Sequence, residues 1–263
     1  MATDTSNEVR PAAAPERATT AAPSSYVRTF NRFELKYVLR DEAVRAFIGA
    51  LEGYARPDPH SGERGYRVSS VYWDTAGLKF FWEKIDGQKV RRKLRFRTYG
   101  ESPERVFVEI KQRIDRTVQK RRVLWPLEQA RALFADGRID PELEAGVEDS
   151  AALEALWLCR YHRLAPTMAV AYRRRAFLAL HEPDLRITFD TRLVYDRREL
   201  DPARPLAGGK ALLDPRMAVM EIKYNHGVPA WLAALARRHG LELVRISKYC
   251  TAVDRELFGG QHT

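Results

Sequence analysis

The chain is poor in cysteine, in long apolar runs and, for its charge, in lysine. Its two cysteines, Cys159 and Cys250, lie far apart with no second cysteine near either. That argues against a disulfide framework or a zinc finger and points to a reducing cytoplasm. No apolar run approaches the roughly 18 residues of a membrane-spanning helix, and the first 25 residues hold no apolar stretch of the secretory kind. Glycine-rich phosphate loops of the G-x-G-x-x-G or Walker type are missing too, so the usual nucleotide folds are unsupported.

What is there is positive charge on an ordinary apolar background. The 263 residues are 45% hydrophobic, and 45 Lys+Arg face 35 Asp+Glu for a formal charge of +10. The cations divide into 35 Arg and 10 Lys. Arginine offers a planar fork of donors that matches phosphate oxygens, so a polyanion is the first partner to consider. Composition alone leaves nucleic acid, membrane surface and phosphorylated small molecules all open.

Residues 1–25 are Ala, Thr, Pro and Ser with scattered charges, and read as a disordered tail. Residues 26–258 read as one α+β domain and 259–263 as a short C-terminal tail. Strands are expected at Val27–Leu39, Arg67–Trp73, Arg91–Tyr99, Arg105–Gln112, Arg116–Trp125, Thr167–Leu180, Leu185–Tyr195, Ala218–Tyr224 and Glu242–Ile246. Helices are expected after a cap at Asp41, at Leu78–Ile85, Leu127–Phe134, Ala151–Tyr161, Pro229–His239 with a stop at Gly240, and Lys248–Leu257.

Strand residues two apart share a face, about 7 Å from one another. Arg32, Glu34 and Lys36 therefore lie opposite Phe33, Leu35 and Tyr37, and Arg91, Lys93, Arg95 and Arg97 lie opposite Leu94 and Phe96. The same holds for Glu109, Lys111 and Arg113, for Lys120 and Arg122, for Arg186, Thr188 and Asp190, and for Glu221 and Lys223. One such strand is an ordinary sheet with a wet face. Six, with Arg and Lys dominating the polar side, would repel unless an anion sat among them. The pattern predicts a closed or nearly closed antiparallel barrel, charged inside, with helices over its apolar exterior. Glu-x-Lys recurs at Glu34–Lys36, Glu109–Lys111 and Glu221–Lys223. Each can be a simple ion pair. Three facing one lumen favour a hard divalent cation held beside phosphate.

Several segments together resemble the VTC domain, the polyphosphate polymerase family of the triphosphate tunnel metalloenzymes. They are Phe33-Glu34-Leu35-Lys36-Tyr37, Ser70-Val71-Tyr72-Trp73-Asp74, Lys93 to Gly100, Val108-Glu109-Ile110-Lys111, Tyr172 to Phe177, Leu185 to Asp190, Met220-Glu221-Ile222-Lys223 and Ser247-Lys248-Tyr249. The resemblance implies an eight-stranded antiparallel tunnel that transfers the γ-phosphate of ATP to a growing inorganic polyphosphate chain. It implies phosphate binding by Lys36, Lys84, Arg95, Arg97, Lys111, Lys120, Arg174, Arg186 and Lys248, with Lys223 beside them. Lys36, Arg95, Arg97, Lys111, Arg174, Arg186 and Lys248 would carry the catalysis. Glu221 would bind Mn²⁺ or Mg²⁺, with Glu34 and Glu109 as further carboxylates. Lys84 and Lys120 are the loosest matches, since Arg121 or Arg122 replaces Lys120 after a small register change. Arg32 stands where the adenylate cyclase/thiamine triphosphatase branch has a first glutamate, which argues against that branch. His226 is a candidate acid/base only by position.

Other readings stay open from sequence. They are a metal-dependent triphosphatase on the same fold, a non-enzymatic polyphosphate or nucleotide sensor, and RNA binding through Arg91–Arg97 with Phe96 and Tyr99. The last requires exposed aromatics, whereas Leu94 and Phe96 alternate onto the apolar side, so no nucleic acid is expected. The resemblance leaves room for a separately encoded membrane-protein partner at the inner face of the membrane.

Overall fold

The computed structural model describes residues 28–29, 33–115, 117–134 and 139–263. The tail at 1–25, Val27, Arg32 and Arg116 lie outside the described residues. In chain order the elements are β1 (Arg28–Thr29), β2 (Phe33–Arg40), α1 (Asp41–Ala50), β3 (Ala55–Pro57), β4 (Tyr66–Asp74), α2 (Lys79–Ile85), β5 (Val90–Tyr99), β6 (Arg105–Ile114), β7 (Thr117–Pro126), α3 (Leu127–Leu133), α4 (Pro141–Glu144), α5 (Ser150–His162), β8 (Ala165–Ala179), β9 (Arg186–Asp196), β10 (Lys210–Ala211), β11 (Met217–Tyr224), α6 (Ala230–Arg238) and α7 (Lys248–Leu257). None of the described helices is long and apolar enough to cross a membrane.

The strands form one antiparallel sheet ordered β1-β7-β6-β5-β4-β8-β9-β11-β2, with β10 added to β9 and β3 to β8. A flat sheet would hold β6 and β2 about 29 Å apart, at about 4.8 Å for each of the six steps between them. Instead Lys111 of β6 lies 3.8 Å from Glu34 of β2. The sheet is therefore rolled, and its inner face surrounds a common space. Its two ends, β1 and β2, are consecutive along the chain, which keeps them within about 14 Å.

Two parts of the barrel expectation are corrected. The roll is not closed by backbone pairing, because no ladder joins β2 to β7 among the described residues, and eleven strands are present rather than eight. The surplus includes β1, β3 and β10, of two or three residues each, which hydropathy alternation is too coarse to reveal. Glu242–Ile246 is not a strand either. It runs beside β2 with one bond of ladder type, from Val244 N–H to Lys36 O at 2.9 Å.

Alternation places the apolar residues largely as expected. Leu94, Phe96, Val108, Ile110 and Val123 are buried in a cluster with Leu127 and Leu133 of α3 and Ala152, Ala155 and Leu156 of α5. Ile187, Phe189, Met220 and Ile222 pack with Phe47 of α1 and Leu232 of α6. The third cluster departs from the expected exterior helices. Val68, Tyr72, Met168, Val170, Tyr172 and Val219 share strand faces with the charged residues, and they pack with Tyr249, Cys250 and Val253 of α7. One end of the interior is thus apolar and filled by α7. The sequence pattern shows charge on these faces only over part of each strand.

Local signals fix the helix ends. Asp149 accepts from Ala151 N–H and Ala152 N–H to start α5, and Ser247 accepts from Cys250 N–H to start α7. Gly240, at φ +57°, follows α6 in the left-handed conformation a glycine stop provides. Asp41 is not the cap of α1. Arg40 holds that position without a side-chain bond, and Asp41 is the first helical residue, where its charge favours the helix N-terminus. The C-terminal residues are tied down, because His262 N–H and Thr263 N–H both donate to buried Asp254.

Candidate active site

Cross-strand register brings the charged faces together above α7. On β11, Glu221 lies opposite Lys36 of β2 and Thr188 of β9, and Lys223 lies opposite Glu34 and Arg186. Arg174 of β8 lies opposite Asp190 of β9. On the other wall, Arg95 of β5 faces Glu109 of β6, which faces Arg122 of β7, while Lys93, Lys111 and Lys120 form a parallel row. This register puts both Lys120 and Arg122 on the inward face, with Lys120 on Glu109 and Arg122 over Phe107. Arg121 turns outward to Glu154 of α5.

Two groups of buried carboxylates organise the cations. Glu221 holds Lys248 Nζ at 2.8 Å, Lys223 Nζ at 2.7 Å, Arg174 Nη2 at 3.4 Å and Lys36 Nζ at 3.7 Å. Asp190, fully buried, accepts Nε and Nη2 of Arg174 at 2.6 and 2.7 Å and pairs with Lys248 at 2.6 Å. Glu34 lies 3.4 Å from Lys223 and 3.8 Å from both Lys36 and Lys111. Separately, Glu109 takes Arg95 at 2.7 Å, Lys120 at 2.5 Å and Arg97 at 3.9 Å. Arg97 also donates to Ser70, and Arg186 donates to Asp58 at 2.7 Å and Tyr66 at 3.3 Å.

The electrostatics follow from this crowding. Burial alone would raise the Glu34 carboxyl, but Lys223, Lys36 and Lys111 bring it down to about 2. Glu221 and Glu109 are likewise held below the usual carboxylate range against their burial, by Lys223, Lys248 and Lys36 in one case and by Arg95, Lys120 and Arg97 in the other. Burial and neighbouring cations lower Lys111 to about 8 despite Glu34, and burial lowers Lys120 to about 8 despite Glu109. Tyr72 records the local excess most directly. Burial pushes its phenol up, yet Arg95, Arg97 and Lys93 bring it down to about 8. Lys111 and Lys120 are lowered by burial first, and Lys248 is raised against its burial by Asp190 and Glu221, so Tyr72 is the group that reports the cations directly.

A profile of the VTC domain family matches residues 31–256. The chain belongs to the VTC domain family. Three solved structures resemble this VTC domain. One, from Vibrio parahaemolyticus and proposed to be an adenylate cyclase, is 13% identical with a TM-score of 0.45, covering 85% of this chain and 98% of its own. A Pyrococcus horikoshii OT3 protein is 14% identical with a TM-score of 0.43, over 85% of this chain and 97% of its own. A Hippeastrum protein proposed to be an adenylyl cyclase, and described as having a dominant triphosphatase activity, is 14% identical with a TM-score of 0.46, over 88% and 100%. No curated protein was found to match the chain.

The VTC domain gathers most of the residues expected at its site, but not all in one place. Lys36, Arg174, Lys223 and Lys248 surround Glu221, and Arg95, Arg97 and Lys120 surround Glu109. Lys111 bridges towards Glu34. Arg186 lies beyond, against Asp58. Lys84, on α2, stands apart near Lys93, Arg91 and Arg245. His226 is exposed.

Among the described residues no three His, Cys, Asp or Glu side chains form a preformed metal cluster. The oxygen donors nevertheless fit a hard cation. Lys36 and Lys223 each place an ammonium between Glu34 and Glu221, so the two carboxylates already share positive charge. Thr188 Oγ1, cross-strand from Glu221, is buried without a hydrogen-bond partner. Mg²⁺ and Mn²⁺ suit one or two carboxylates completed by phosphate oxygens and water. Glu109 shares no partner with Glu34 or Glu221, so the structure does not bring the third suggested carboxylate to this pair.

Proposed function

We propose that this VTC domain is a polyphosphate polymerase that transfers the γ-phosphate of ATP to a growing inorganic polyphosphate chain, with Mn²⁺ or Mg²⁺ as cofactor. The observation that supports it is the positive excess on one enclosed surface. Glu34, Glu109, Asp190 and Glu221 are each shared among several cations, and the remaining charge suits an anion several phosphates long.

In this reading Arg95, Arg97, Arg174, Arg186 and Lys248 hold phosphate oxygens, and Lys36, Lys111, Lys120 and Lys223 extend the track. Lys84 adds a contact at its end. Glu221, with Glu34, would hold the metal, which when bound neutralises and orients the triphosphate. Phosphoryl transfer asks the protein chiefly for in-line positioning and charge stabilisation. The terminal phosphate of the chain, or free phosphate at initiation, attacks the γ-phosphorus, and ADP leaves. No protein nucleophile is needed. The apolar packing of α7 restricts water at one end. The domain would act in the cytoplasm, with a separately encoded membrane-protein partner as a further part of the proposal.

Incubation with ATP and Mn²⁺, followed by electrophoresis for an acid-labile phosphate polymer, tests this directly. Free phosphate as the sole product would establish a triphosphatase instead. Binding without turnover would establish a sensor. Glu221→Ala is expected to abolish turnover while the circular dichroism spectrum is kept, and undiminished turnover would remove the metal site from the mechanism.

A further inference from the structure

The two ends of the charged track differ in kind. At one end Arg91 of β5 lies opposite Arg113 of β6, with Lys84 and Arg245 close by. None of these four pairs with a carboxylate among the described residues.

The other end is aromatic. Tyr99 shares the face of Arg95 and Arg97 on β5, and Phe107 shares the face of Glu109 on β6. Tyr66 shares the face of Ser70 and Tyr72 on β4, whose hydroxyls meet Arg97 and Arg95. The ring centroids of Tyr66 and Tyr99 are 6.0 Å apart, and those of Tyr99 and Phe107 are 5.7 Å apart. The Arg122 guanidinium sits 5.0 Å from the Phe107 ring centroid. Tyr99 is 36% exposed, so part of its ring is free to receive a ligand. Phe33 and Tyr224 also stack, but on the opposite face of the sheet.

A π-surface at the mouth of a cationic track suits a ligand with a flat heterocycle at one end and phosphates at the other. Every nucleobase has a π-face, and base stacking on aromatic side chains tolerates base identity. We infer that Tyr99, flanked by Tyr66 and Phe107, seats the base of a nucleoside triphosphate whose phosphates run inward past Arg97 to Arg95. These residues follow Tyr99 by about 7 and 14 Å along the strand. The inference rests on the proposed polymerase reading and gives it a direction. The nucleotide enters at the aromatic end, away from the end where Lys93 meets Ser247 and Cys250 and α7 fills the interior.

Calorimetric titration of the full chain with ATP and with inorganic tripolyphosphate separates the base from the phosphates. Tyr99→Ala and Phe107→Ala are expected to weaken ATP by about 10- to 100-fold, the range given by single stacking contacts, and to leave tripolyphosphate unchanged. Tyr99→Phe should bind ATP like the parent, because it keeps the ring. Equal losses for both ligands would assign these rings to the phosphate seat, and unchanged ATP affinity in both alanine variants would leave no base seat here. Either result overturns the inference. A parent chain that binds neither ligand would overturn the polymerase reading and this inference together. If it binds both but makes no polymer, only the polymerase reading falls, and the ATP comparison still decides the base seat.

Discussion

Asp190→Asn probes the logic of the interior most sharply. The carboxylate is fully buried, receives a two-pronged bond from Arg174 and pairs with Lys248 at 2.6 Å. Removing one member of a buried ion pair costs about 3–5 kcal/mol, because the other charge is stranded. Two features lower that figure here. The amide oxygen still accepts one bond, and Arg174 and Lys248 keep Glu221 at 3.4 and 2.8 Å. A loss of about 2–4 kcal/mol remains, or about 5–15 °C in melting temperature for a chain of this size. With a polyanion present the sign reverses. The substitution removes a negative charge from the anion's surroundings, so tripolyphosphate should bind the variant more tightly than the parent. Ligand at a hundred times its dissociation constant contributes about 2.7 kcal/mol to either chain, and a tenfold tighter variant regains about 1.4 kcal/mol on the parent at equal ligand. Thermal melts with and without tripolyphosphate measure both effects. An unaltered melting temperature in the free variant, or a smaller ligand-induced rise than in the parent, would refute the argument.

Three further outcomes follow from the same geometry. The Glu34 carboxyl is lowered from 4.5 to about 2 in the folded chain, so the unfolded chain takes up its proton first as pH falls. Its stabilisation is present above about 4.5 and lost towards 2, and Glu34→Gln should flatten that part of an acid denaturation series. Lys111 and Lys120 lose their protons near 8, so tripolyphosphate affinity should fall as pH rises through 8. The double variant Lys111→Arg, Lys120→Arg should push that fall to higher pH, and an identical profile by calorimetry would refute it. Leu94→Ala empties a fully buried site on the outer face of β5 and should cost about 2–5 kcal/mol in urea unfolding. Tripolyphosphate affinity should stay intact, because the side chain points away from the interior.

The sequence was most informative where one strand face was uniform. The alternation of Arg91, Lys93, Arg95 and Arg97 with Leu94 and Phe96 was sufficient to orient β5, since a one-residue slip would bury the arginines under α3 and α5. The Glu-x-Lys segments all turn inward, but their partners could not be read locally. Glu221 does pair with Lys223 on its own strand, whereas Glu109 passes over Lys111 for Arg95 and Lys120 on neighbouring strands. Asp190 ends one of the segments that carry the resemblance and shares the face of Arg186, but nothing local names its partner. Its importance arises only when β8 sets Arg174 opposite it, a relation fixed by long-range register. Asp58 sits in a Pro-rich segment that looks like a plain turn, and its role as acceptor for Arg186 depends on a contact 128 residues away in sequence. The filling of one end by α7 was hidden for a similar reason, because Val219 and Tyr172 share faces with Glu221 and Arg174.

The seam between β2 and β7 has a mechanical consequence. In a cylinder closed by continuous ladders, strand number and stagger fix the girth. Here the circuit is completed at one place by side chains, such as Lys111 reaching Glu34, and by the segment beside β2, where Lys36 Nζ meets Ile246 O and Lys93 Nζ meets Ser247 Oγ. Widening the bore at that place requires exchanging a few polar contacts for water, while every strand keeps its neighbours. The girth at that place therefore rests on side-chain contacts and not on a ladder among the described residues.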